Sequence, residues 1–69
     1  MNKITVDGRG LSCPQPVLLT MQALKKEADC YEILVDNNTA VENVSRFVKN
    51  SGRKFTVTPS GDEFIIEVK

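Results

Sequence analysis

The chain has 69 residues, enough for one domain with a modest core. Nine Lys and Arg balance nine Asp and Glu, so the formal net charge is zero, which argues against broad nucleic-acid binding through a concentrated positive field. No apolar run is long enough for a transmembrane helix, and the polar start Met1-Asn2-Lys3-Ile4-Thr5-Val6 does not read as a signal peptide, so a cytoplasmic domain without a membrane partner is expected.

From Lys3 to Asp7 the residues alternate, Ile4 and Val6 against Thr5 and Asp7, as in a half-buried strand. Gly8 and Gly10 end it and allow a sharp turn. The period then changes to that of a helix running from Pro14 to about Glu27. Val17, Met21, Leu24 and Ala28, with Leu18 beside them, make its predicted apolar face, and Lys25 and Lys26 suit the negative end of its dipole. Tyr31 to Val35 reads as a second strand with Tyr31, Ile33 and Val35 inward.

Asp36-Asn37-Asn38-Thr39 is a turn and cap cluster, and Thr39 with Glu42 has capping-box spacing if Thr39 is the cap. A second helix follows to about Ser51, with Ala40, Val44, Phe47 and Val48 as its core face and Gly52 as its stop. Phe55 and Val57 then alternate with Lys54, Thr56 and Thr58, and Pro59 suits an edge strand. Ser60-Gly61-Asp62 reads as a hairpin loop, and Phe64, Ile66 and Val68 as the inner face of the last strand.

The order is βαβαββ. Strands joined through helices are parallel with right-handed crossovers, and the closing hairpin is antiparallel. Each helix has one apolar stripe, so both cover one face of the sheet in a two-layer α+β sandwich. The open face should carry Thr5, Leu34, Thr56 and Ile65, with Leu34 and Ile65 as apolar exceptions.

Chemistry concentrates at one turn, Gly8-Arg9-Gly10-Leu11-Ser12-Cys13-Pro14-Gln15-Pro16. A helix start offers unpaired N–H groups and partial positive charge, both of which stabilise a thiolate. If Cys13 is the N-cap, Pro14 and Pro16 lack an N–H and only Gln15 donates to the sulfur. The thiol is then activated yet nucleophilic and exposed. The prolines also restrict the residues before them and hold the loop in one shape. Arg9 either adds positive charge near the thiol or is a solvated loop residue.

Cys30 lies beyond the far end of the first helix, roughly 20 Å away at 1.5 Å per residue, well outside the ~7 Å reach of a disulfide. It reads as a packing residue. The chain contains no histidine, which excludes a Cys-His or Ser-His catalytic pair. Two cysteines without histidine leave too few ligands for a structural zinc, so neither metal nor cofactor is expected.

The stretch Asp7-Gly8-Arg9-Gly10-Leu11-Ser12-Cys13-Pro14-Gln15-Pro16-Val17-Leu18 closely resembles the signature of the TusA/SirA/YedF-like sulfur-carrier family, whose hallmark is Cys-Pro-x-Pro at the start of the first helix. The resemblance extends over nearly the whole chain, residues 1–69, as a single domain. It implies a fold like the C-terminal domain of translation initiation factor 3, with a mixed four-stranded sheet of order 1-2-4-3 in which only the last strand is antiparallel. It also implies a persulfide on Cys13, taken from a donor such as a cysteine desulfurase and passed to a downstream acceptor protein, with no nucleic acid contacted directly. Asp7, Arg9, Gly10, Pro14, Gln15 and Pro16 would then shape or present the cysteine.

Val35-Asp36-Asn37, Ala40, Asn43-Val44, Arg46-Phe47 and Gly52 look most like the YedF branch. Met21 and Gln22 stand where TusA and many relatives carry basic residues. A non-catalytic regulatory or protein-binding module on the same fold, or a carrier in selenium metabolism, are the alternative readings.

Overall fold

Alternating apolar residues build four strands, and two helices complete the order β1 (Lys3–Asp7), α1 (Gln15–Leu24), β2 (Cys30–Val35), α2 (Asn38–Asn50), β3 (Phe55–Ser60) and β4 (Glu63–Val68). The structure is a computed structural model and describes residues 2–11 and 15–69. The sheet order is β1-β2-β4-β3. β1 and β2 are parallel, and β4 runs antiparallel to both β2 and β3. This is the predicted α+β sandwich with the predicted strand order.

The register aligns the inner face. Val6 pairs with Ile33, Ile33 with Ile66, and Ile66 with Val57. Ile33, Val35, Val44, Val48, Ile66 and Val68 are fully buried between sheet and helices. On the opposite face Leu34 pairs with Ile65, so the two apolar exceptions are cross-strand neighbours and shield each other.

Several local expectations give way to tertiary structure. α1 ends at Leu24 rather than near Glu27. Lys25 and Lys26 donate their N–H groups to the carbonyls of Gln22 and Ala23, three residues back, which tightens the chain into a turn. The Lys26 carbonyl then accepts the Tyr31 hydroxyl proton instead of a helical N–H.

The predicted apolar face of α1 is met in part: Val17, Leu24 and Ala28 pack against the core, but the most deeply buried residues are others. Pro16, Thr20 and Ala23 are buried, whereas Leu18 and Met21 are 47% and 36% exposed. Apolar residues occur all round this helix, so hydropathy alone does not define its inner face. Small residues let the helix approach the sheet, and the Thr20 hydroxyl is satisfied inside by donating to the Pro16 carbonyl at 2.8 Å.

The N-cap of α2 is Asn37, not Thr39. Its side-chain oxygen accepts the Ala40 N–H at 2.7 Å, and Thr39 lies inside the helix. Gly52 stops α2 as predicted. At φ 79° its N–H reaches the Lys49 carbonyl while the Arg53 N–H reaches that of Val48, a Schellman closure. Val57 faces the helix side but is 38% exposed, because β3 is the sheet edge and the helices extend less far over it. The hairpin loop is two residues, Gly61-Asp62, since Ser60 still pairs with Glu63.

Candidate functional site

Parallel pairing of β1 and β2 brings their C-terminal ends together, and both helices begin at that end. The turn after β1 is tied down there by named contacts. Gly8 donates its N–H to the Leu34 carbonyl at 2.7 Å, extending the ladder past the strand. A Cβ on Gly8 would lie 3.1 Å from that carbonyl oxygen and 3.3 Å from the Cβ of Pro16, so the turn and the start of α1 pack at a distance only glycine allows. Gly10 has φ 74° and donates its N–H to the Asp36 carboxylate at 2.8 Å.

Asp36 also accepts from the Asn37 side-chain amide at 3.1 Å, and Asn37 in turn caps α2. One hydrogen-bonded chain therefore links the turn after β1 to the start of α2.

Arg9 is held by carboxylates. Its Nε and Nη2 donate to the two oxygens of Asp7 at 2.9 and 3.0 Å, and its Nη1 donates to Glu63 at 3.2 Å. The Arg9 backbone N–H also reaches Asp7. These bonds hold the Asp7 carboxyl down at about 2, the Arg9 side chain being the larger cause and its backbone N–H the next. The same pairing raises the guanidinium further above its ordinary value. Arg9 thus crosses the end of β2 to join β1 to β4, and its charge is engaged by two carboxylates.

A cleft of about 190 Å³ opens between the turn and the helix starts. Leu11, Pro16 and Val17 line one side, and Asn37, Ala40 and Asn43 the other. Leu11 and Pro16 flank Ser12-Cys13-Pro14-Gln15 in sequence. Cys13 and Pro14, the central residues of the sequence-predicted site, lie outside the described residues. Of the others, Asp7, Arg9 and Gly10 come together in the anchored turn, Pro16 is buried under it, and Gln15 is exposed at the first position of α1.

Two residues of this region carry no role in the sequence reading. Asp36 is read there only as part of a turn and cap cluster and of the branch resemblance, with no part in the site. Its position directly after β2, level with the end of β1, is the signal that marks it as a clasp. Glu63 has no local signal, because only the strand order brings β4 within reach of Arg9. Cys30 is half-buried at the start of β2, at the other end of the sheet.

A two-layer α+β sandwich of this strand order is the fold shared with a SirA-like protein. A solved SirA-like protein from Desulfitobacterium hafniense superposes with a TM-score of 0.85 over 94% of this chain and 93% of that one, at 23% identity, a likeness of fold. The model of the family described as Sulfurtransferase TusA matches residues 4–69. A candidate sulfur carrier protein of Methanocaldococcus jannaschii is 41% identical over 54 residues, covering 75% of this chain and 69% of that protein. The chain belongs to the TusA sulfurtransferase family. Membership supports a sulfur-carrier role, with a sulfur donor and a sulfur acceptor as partners in general. Among the described residues no helix is long and apolar enough to cross a membrane.

Proposed function

We propose that the chain is a single-domain cytoplasmic carrier that holds sulfur as a persulfide on Cys13. The Cys13 thiolate attacks the outer sulfur of a donor persulfide, such as that of a cysteine desulfurase. The donor S–S bond breaks, the donor leaves as a thiolate, and Cys13 bears the new S–S bond. An acceptor thiolate then attacks the outer sulfur and Cys13 leaves as a thiolate. No external oxidant or reductant enters either exchange.

The observation that carries this reading is the family match across residues 4–69, which includes the Cys-Pro-x-Pro turn. The geometry around that turn supports it. α1 and α2 both point their positive ends at the cleft beside Leu11 and Pro16, and such ends favour a thiolate. Arg9 is engaged by Asp7 and Glu63, so the helix ends rather than Arg9 stabilise the anion. Asp7, Arg9, Gly10, Pro14, Gln15 and Pro16 shape the turn, and the partner enzymes complete the reaction site. The open cleft suits entry of a partner's loop.

The test is intact-protein mass spectrometry after incubation with a cysteine desulfurase and cysteine. A gain of one sulfur atom, absent in Cys13→Ser, is expected. No gain with any desulfurase tried overturns the proposal.

A further inference from the structure

Net charge zero conceals a separation of charge. The turn end of the sheet carries Asp7, Asp36, Asp62 and Glu63, with Arg9 as the only cation beside them among the described residues. At the other end, where both helices finish and β3 begins, stand Lys25, Lys26, Lys49, Arg53 and Lys54. None of these five forms an ion pair with a described residue. Glu27, Asp29 and Glu67 stand among them as the carboxylates of this end, and Asp29 already accepts the Asn2 N–H at 3.1 Å.

These five cations, with Lys69, line two clefts that meet at Arg53. One, of about 640 Å³, is bounded by Lys49, Arg53, Lys54, Lys69 and Phe55, with Glu67 as the acidic side chain in its wall. The other, of about 450 Å³, is bounded by Lys25, Lys26, Arg53 and Tyr31, with the carboxylates of Glu27 and Asp29 also in its wall. The Arg53 guanidinium rests 5.2 Å from the centroid of the Tyr31 ring, which holds it at the junction.

The two ends are separated by the length of a six-residue strand, roughly 20 Å. The Debye length at 0.1 M salt is about 10 Å, so each end presents its own charge rather than the whole-chain zero.

We propose that this basic end binds the phosphate backbone of a nucleic acid while leaving the Cys13 turn exposed at the opposite end. This departs from the whole-chain expectation of no direct nucleic-acid contact, and it stands independently of the persulfide chemistry. A protein partner would need an apolar anchor at the centre of its interface. The exposed large apolar residues, Leu18, Met21 and Val57, line neither cleft, and Phe55 packs against the core. A phosphate backbone is recognised by charge alone.

The test is fluorescence anisotropy with a labelled single-stranded RNA of about twelve nucleotides, the matching DNA, and a poly-glutamate of similar charge. Four phosphate contacts give a log–log salt slope of about −3, or about 50-fold weaker RNA binding between about 50 and 200 mM salt. The double variant Lys49→Glu, Lys54→Glu is expected to weaken RNA binding at least about tenfold at the lower salt, and Asp62→Asn at the other end to leave it unchanged. Equal affinity for RNA and DNA supports recognition of the backbone itself, and preference for RNA supports added contact with the 2′-hydroxyl. Matched thermal melts confirm that the variants are folded. Absence of saturable binding at the lower salt, binding unaffected by the double reversal, or tighter binding of poly-glutamate than of either nucleic acid overturns the proposal; the last outcome assigns the end to an acidic protein.

Discussion

The Asp36 carboxylate accepts the backbone N–H of Gly10 at 2.8 Å, joining the turn after β1 to the turn after β2 across 26 residues of sequence. Because Asp36 also holds the side chain of the α2 cap residue Asn37, the segment entering Cys13 is anchored to the start of the second helix. Replacement of Asp36 by Ala removes the acceptor. The bond is solvent-exposed, so a loss of about 1 kcal/mol is expected, or a Tm lower by roughly 4–8 °C for a domain of this size. Asp36→Asn retains one carbonyl oxygen and should fall between the two. Faster amide exchange at Gly10 in Asp36→Ala tests the contact directly; unchanged exchange would show that Asp36 does not hold the turn.

Gly8 and Gly10 are required for different reasons, and their alanine variants should separate them. At Gly8 the new methyl meets the Leu34 oxygen at 3.1 Å and Pro16 at 3.3 Å, so the turn must move away from α1 at a cost of about 1–3 kcal/mol. At Gly10 nothing lies within 4 Å of the added Cβ, and the cost is that of a left-handed backbone, about 1–2 kcal/mol. Chemical shift changes at Pro16 and Leu34 are expected in Gly8→Ala and not in Gly10→Ala. The opposite pattern would contradict the packing described.

Asp7 ties acid stability to the turn. Its folded pKa, about 2, lies below the ordinary 3.8, held down first by the Arg9 side chain and then by the Arg9 N–H. A depressed carboxyl stabilises the fold above its unfolded value, and that contribution disappears as pH falls through the folded value. Loosening of residues 8–10 is therefore expected between about pH 4 and pH 2. An NMR titration should place the Asp7 midpoint near 2 in the wild type and higher in Arg9→Gln. A wild-type midpoint at the ordinary value would remove Arg9 as the cause.

The α2 cap offers a comparison between neighbours. Asn37→Ala leaves the Ala40 N–H without its 2.7 Å acceptor and should cost about 1 kcal/mol. Thr39, inside the first turn and exposed, should tolerate Ala within about 0.5 kcal/mol. Denaturant midpoints of the two variants decide between them, and a larger loss at Thr39 would restore the capping-box reading.

Most of the fold was legible because its signals are local. Alternation at Ile4–Val6, Tyr31–Val35 and Phe64–Val68 marks strands, and Gly52 marks a helix end whatever surrounds it. The face of α1 was legible only in part, at Val17 and Leu24, since the exposed Leu18 and Met21 are at least as apolar as the buried Pro16, Thr20 and Ala23. What selects Pro16, Thr20 and Ala23 is close approach to the sheet and a hydroxyl satisfied within the helix. At the site, Arg9 and Gly10 stood out by sequence, whereas Asp36 and Glu63 did not, because their partners are distant in the chain.

By itself the sequence determined the element order and the family signature, with Cys13 inside it. These follow from side-chain period, turn chemistry and residue spacing, all set by neighbours along the chain. Tertiary structure decided that Arg9 answers to Asp7 and Glu63, that Asp36 clasps the turn, and that a neutral chain presents an acidic end and a basic one. Strand order made those decisions, because electrostatic and hydrogen-bond partners are chosen by distance in space.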